Sequence, residues 1–137
     1  MLIELADTTV HVARKLRAYS QQAPEIVTLS PLECLVLLHV HRHPGVSPTA
    51  LAHELALRSS NAATALRGLI KKGQVERTAS AVDKRASCLH LTPAAQKAIV
   101  TVRRTWLEAI GQVEISEAEL RVATHALGAI NDALAEP

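Results

Sequence analysis

Ser60, Thr64, Arg67 and Lys71 are spaced four, three and four residues apart within the run SSNAATALRGLIKK. On a helix turning 100° per residue they fall within about 60° of one another. The stripe carries two hydroxyls, one guanidinium fork and one ammonium, and no carboxylate. It suits a surface that offers both negative charge and hydrogen-bonding edges. Ser59, Ser60 and Asn61 stand at the start of the same run. Asparagine pairs with the adenine edge and arginine with the guanine edge, and threonine suits a thymine methyl or a phosphate.

A second charged group is Asp83-Lys84-Arg85. If the segment is an extended hairpin, Asp83 and Arg85 project to the same side. A carboxylate there can hold a guanidinium by a charge-assisted pair and fix its direction. An arginine aimed in this way suits the narrow, electronegative minor groove of a duplex.

The remaining reactive side chains offer less. His39 and His43 are four apart, with His41 between them. They can share a helix face, but a metal site needs further ligands that the spacing does not supply, and histidines near a helix end also complement its dipole. The expectation is no metal. Cys34 falls in an apolar run and Cys88 in a strand, so both read as buried structural thiols. The sequence contains no glycine-rich phosphate loop, nucleophile elbow or evident carboxylate pair. Neither an enzyme nor a cofactor is expected.

The elements that must position these groups are well marked. Ala62, Leu66, Leu69 and Ile70 form the apolar face opposite the polar stripe, and Gly73 caps the helix end. Ser47-Pro48 opens a short helix before it, with Leu51, Ala52 and Leu55 facing inward. A tight turn at Leu57-Arg58-Ser59 then makes a helix-turn-helix. Two strands follow, Gln74–Thr78 and Ser87–Leu91, the second with Leu89 and Leu91 on one face. The loop TASAVDKRA between them makes the pair a wing. Ser30-Pro31-Leu32-Glu33 and Ser116-Glu117-Ala118-Glu119 read as capping boxes, and Thr92-Pro93 opens a long helix running to about Gly111. Leu2, Ala6, Thr9, Ala13 and Leu16 form a helical stripe at one end of the chain, and Leu120, Ala123, Leu127, Ile130 and Leu134 form another at the other. Those stripes either meet a second protomer or pack on the chain's own core.

Composition agrees. The 137 residues suit one domain. There is one tryptophan, one tyrosine and no phenylalanine, which disfavours modules that stack unpaired bases on rings. Residues 44–91 hold seven Lys/Arg against three Asp/Glu, whereas the rest holds eight against ten. The middle is therefore the part suited to a polyanion. No apolar run approaches a membrane span, and the acidic N-terminus does not read as a signal peptide. A cytoplasmic location without membrane contact is expected.

The run from about Ser30 to Gln96 resembles the MarR family of bacterial regulators. The resemblance is carried by SPTALAHELAL, RSSNAATALRGLIKKGQVER, the wing sequence DKR and LHLTPAA, in that order. It implies a mainly α fold with a small antiparallel β-wing: a winged helix-turn-helix over 30–91 within a single domain of 1–137, with helices of 1–22 and 93–137 forming a dimerisation region. It further implies a homodimer that binds double-stranded DNA at palindromic operators, usually as a repressor, with release by a small-molecule effector. Carried over, Ser59, Ser60, Asn61, Thr64, Arg67 and Lys71 serve the major groove. Arg85 is the minor-groove finger, with Lys84 beside it and Asp83 as its buttress. His11, Arg14 and Trp106 are candidates for an effector pocket. The chain departs from the family in Ala95, where glycine is frequent, and in offering only Tyr19 and Trp106 as aromatic side chains. Oxidant-sensing relatives carry their cysteine in the first helix, where this chain has none. The rival reading is a winged helix that binds protein and no DNA.

Overall fold

The structure is a computed structural model that describes residues 1–23 and 26–135. Among the described residues the element order is α1 (Leu2–Ser20), α2 (Pro31–Arg42), α3 (Pro48–Glu54), α4 (Ser59–Lys71), β1 (Val75–Ala79), β2 (Ser87–Leu91), α5 (Pro93–Ile110) and α6 (Glu117–Ala135). The fold is thus mainly α with one two-stranded antiparallel sheet, as the sequence implies. The last two positions of the 93–137 range lie outside the described residues. Two units are distinguished, one formed by residues 1–28 with 97–114, the other by residues 29–96 with those from 115 onward.

The second unit contains α2, α3, α4 and the sheet. Its core is aliphatic: Val36, Val40, Leu51, Leu66, Leu69, Val75 and Leu89 are all but fully buried. Burying a side chain of this size contributes about 1.5–3 kcal/mol, so these residues fix where α4 lies. Ala62 and Ala65 are buried beside Leu66 and Leu69. Ile70, expected on that face, is 40% exposed, and Ala65 takes its place. At 100° per residue Leu69 and Ala62 lie at the centre of the buried arc with Ala65 and Leu66 at its two edges, and Ile70 falls beyond Leu66 where the contact ends.

Helix boundaries follow local chemistry. Ser30 Oγ accepts from Glu33 N–H at 3.1 Å, and Ser30 N–H donates to Glu33 Oε2 at 2.8 Å. That completes the expected capping box on α2. Ser47 Oγ accepts from Ala50 N–H at 3.1 Å, with Pro48 in the first turn of α3. Ser116 and Glu119 repeat the box on α6. The turn between α3 and α4 lies one to two residues earlier than the sequence suggests. Its bend is made by Ala56, which adopts φ +50°, a left-handed conformation that alanine occupies at a cost. No glycine marks the position, which leaves the bend without a local sequence signal.

The sheet pairs Val75 with Leu91, Arg77 with Leu89 and Ala79 with Ser87. Leu89 and Leu91 are both buried, on one face as expected. Gly45 N–H donates to Leu89 O at 2.8 Å, and Leu89 N–H donates to Val46 O at 3.0 Å. The loop after α2 is therefore stitched to the other edge of β2. Gly73 (φ +66°) turns the chain from α4 into β1, while Thr92 Oγ1 donates to Gly73 O at 2.6 Å and accepts from Ala95 N–H at 3.2 Å, capping α5.

In the first unit, Trp106 Nε1 donates to Ser20 Oγ at 2.7 Å and to Leu16 O at 3.1 Å, joining α5 to the end of α1. Ser20 is the buried residue of α1. The rest of that helix is largely exposed, including Leu2 and Ile3 at 78% and 75%. On α6, Leu120, Leu127, Ile130 and Leu134 are likewise exposed. Most residues of both terminal stripes are therefore exposed in the single chain.

Candidate nucleic-acid interface

The α4 ridge is built by the helix period. With Ala62, Ala65, Leu66 and Leu69 held in the core, Ser60, Thr64, Arg67 and Lys71 are forced outward, and all four are exposed. Ser59 and Asn61 are exposed in the first turn. Thr64 organises the centre of the ridge. Its Oγ1 donates to Ser60 O at 2.9 Å and accepts from Arg67 Nη2 at 3.0 Å. The guanidinium is thereby drawn back along the helix, with donors to spare for an incoming acceptor. Arg58 precedes the helix without a side-chain cap. The dipole therefore adds partial positive charge to the end where Ser59 to Asn61 stand.

The position of α4 depends on a tie that the sequence does not announce. Lys72 Nζ lies 2.7 Å from Glu33 Oε2, linking the end of α4 to the start of α2. Burial of Glu33 works to raise its pKa, but the Lys72 ammonium and the Ser30 groups outweigh it and hold the carboxyl below its ordinary 4.5. Gly68 makes the approach feasible, since a Cβ there would overlap Glu33 Oε1. The partners are 39 positions apart, so no local pattern reveals them.

The wing tip is a bonded turn, which corrects the reading of Asp83 and Arg85 as neighbours on an extended strand. Asp83 Oδ1 accepts from the Arg85 backbone N–H at 2.9 Å, and Ala86 N–H donates to Asp83 O at 3.0 Å. Asp83 thus shapes the backbone under Arg85, as aspartates do in turns, and the bond to the guanidinium expected from the sequence is replaced by one to the main chain. Ser80 closes the loop from below. Its N–H donates to Ala86 O at 2.9 Å, and its hydroxyl accepts from the N–H groups of Val82 and Asp83. Lys84 and Arg85 stand exposed at the tip.

The effector candidates all lie in the first unit. His11 and Arg14 are exposed on α1, and His11 Nδ1 is 2.8 Å from Asp7 O. The indole N–H of Trp106 is occupied by Leu16 and Ser20, as described above. Cys34 and Cys88 are half-buried and form no disulfide. No helix is long and apolar enough to cross a membrane among the described residues.

Comparison with known proteins places this geometry. The family model described as the MarR family matches residues 27–86, which span α2, the helix-turn-helix and the wing loop. No curated protein matches the chain. Among solved structures, Streptococcus pneumoniae FabT in complex with DNA superposes with a TM-score of 0.73 at 22% identity, over 97% of this chain and 94% of that one. A MarR transcriptional regulator from Methanosarcina mazei Go1 gives 0.72 at 17% identity, over 94% and 95%. Staphylococcus aureus MarR in complex with salicylate and kanamycin gives 0.69 at 19% identity, over 96% and 90%.

Proposed function

We propose, from a chain whose residues 27–86 are a MarR-family segment on a fold shared with MarR regulators, that the protein is a dimeric transcriptional regulator that grips both grooves of duplex DNA. The observation that carries the reading is the α4 ridge: an exposed, acid-free stripe ordered by the Thr64–Arg67 bond at the end of a helix-turn-helix. In such a motif the second helix enters the major groove with its N-terminal part against base edges. Ser59, Ser60, Asn61, Thr64 and Arg67 would read bases, and Lys71 would meet a phosphate. Arg85, presented on the Asp83 turn with Lys84 beside it, would enter the minor groove. A relative of the same fold was solved with DNA.

The dimer is supported by the apolar side chains exposed along α1 and along α6, since a chain that stayed alone would leave them all in water. In a dimer the two α4 helices would sit about 34 Å apart, one turn of DNA, over a palindromic operator. Repression by occupancy is the simplest outcome. A small molecule would act by favouring a dimer of the wrong spacing, and a relative of this fold holds salicylate and kanamycin. His11, Arg14 and Trp106 are the residues with which to begin a search for that site.

Selection of genomic fragments by the purified protein tests the reading. The expected result is enrichment of a few fragments sharing an inverted repeat. Recovery of no sequence above background would favour a protein-binding winged helix.

A further inference from the structure

Away from the α4 ridge, the end of α2 meets the end of α3 at a cluster of side chains that the duplex reading does not use. His39, His43 and Glu54 each bring one ligand-type atom to within 4.8 Å of the other two. His39 Nε2 lies 2.6 Å from Glu54 Oε2, and the His39 and His43 rings are 4.5 Å apart between centroids. We propose that these three residues form a binding site for a divalent transition ion of the zinc class.

His39 and His43 are one helical turn apart, and the turn is kept intact beyond the last residue of α2 because His43 N–H donates to His39 O at 2.9 Å. Both rings are therefore held on one face at the separation that two adjacent ligands require. Glu54 comes from the following helix, and the Gly45–Leu89 and Leu89–Val46 bonds anchor the loop between. Two imidazoles and a carboxylate form the borderline N/O set that suits zinc, nickel, cobalt and copper, whereas magnesium and calcium take oxygen alone. Ligand atoms around a tetrahedral zinc at about 2.0–2.2 Å stand roughly 3.3–3.5 Å from each other. The His39–Glu54 pair would open by less than 1 Å to admit the ion, and the proton it shares would leave to solvent. The His39 side chain is 11% exposed while that of Glu54 is 45% exposed. One ligand is thus anchored and the others face water, so the ion enters without unfolding the unit. Three protein ligands leave a fourth position for water, the pattern of an exchangeable site. Such an ion would clasp α3 to α2 and stiffen the helix that leads into α4. The assignment stands whether or not the protein binds a duplex.

Titration of the metal-free full-length chain with Co2+, followed by its visible absorption, and then with Zn2+ by calorimetry, tests the site. The expected result is one ion per chain, displacement of Co2+ by Zn2+, and a rise in the thermal midpoint. His43→Gln and Glu54→Gln should each weaken binding by about tenfold or more, as loss of a ligand requires at least the effect of losing its support. His125→Gln, on α6, should leave binding unchanged. His43 is exposed, so its variant is expected to fold even if Glu54→Gln does not. Absence of binding at ~100 μM Zn2+ would overturn the site, as would equal binding by the wild type and both ligand variants, whose common explanation would be a hydrogen bond that only ties α2 to α3.

Discussion

Single residues divide into those whose role follows from position and those whose role comes from a distant partner. Thr64 and Arg67 belong to the first kind: the helix period alone places them outward, and the structure adds only the bond between them. Arg85→Ala is expected to weaken duplex binding by about 1–3 kcal/mol, as for other lost arginine contacts, in a mobility-shift titration. Asp83→Ala should reproduce part of that loss, because it frees the turn that presents Arg85. Equal binding by wild type and Asp83→Ala would show that the tip needs no preorganisation. Glu33 belongs to the second kind. Its capping role is legible three residues away from Ser30, whereas its ion pair with Lys72 is not, because nothing local joins positions so far apart. A carboxyl whose pKa is lowered in the folded state stabilises above its unfolded value, and that contribution fades as the pH falls through the folded one. Wild-type stability should therefore drop below about pH 4.5, and Glu33→Gln should flatten that part of the profile in denaturant melts.

At the scale of elements, most boundaries were readable because they rest on contacts three or four residues apart. The capping boxes at Ser30 and Ser116 are examples. The turn between α3 and α4 escapes local pattern for a physical reason: it depends on alanine at φ +50°, where the usual signal is glycine. Ala56→Gly is expected to stabilise the unit by about 0.5–1 kcal/mol, the relief of left-handed strain exceeding the added freedom of the unfolded chain. A loss of stability in thermal melts would mean that the Ala56 methyl packs more than its exposure suggests. Gly68→Ala should give a net loss of no more than about 2 kcal/mol, because the new methyl would press on Glu33 Oε1 and disturb its bonds with Ser30 and Lys72 at about 1–3 kcal/mol, while alanine in a helix interior returns about 1 kcal/mol. The wing tip shows the opposite limit. Its residues stand out in the sequence but their conformation does not, because a turn closed by Ser80 and Asp83 side chains has no regular period.

At the scale of the whole molecule, α1 and α6 display the apolar stripes that their sequences predict, but the period could not say what those stripes would meet. Replacing Leu127 and Ile130 together with glutamate should convert a dimer to monomers in light scattering without loss of helix content, as both are exposed in the single chain and a buried interface rejects unpaired charge. A dimer that persisted would place the interface elsewhere. The fold and the ridge were thus legible from repeating local patterns, while the ties across elements and the partner surfaces were not.

The proposed function requires the α4 ridge and the wing tip to act on one duplex. Anisotropy titration of a selected duplex at several salt concentrations, with wild type, Arg67→Ala, Lys71→Ala and Arg85→Ala, tests it most directly. The expected result is a linear fall of log K with log salt, a slope smaller by about one unit in Lys71→Ala, and a marked loss of affinity in both arginine variants. Binding that ignores salt, or that survives loss of both arginines, would contradict it.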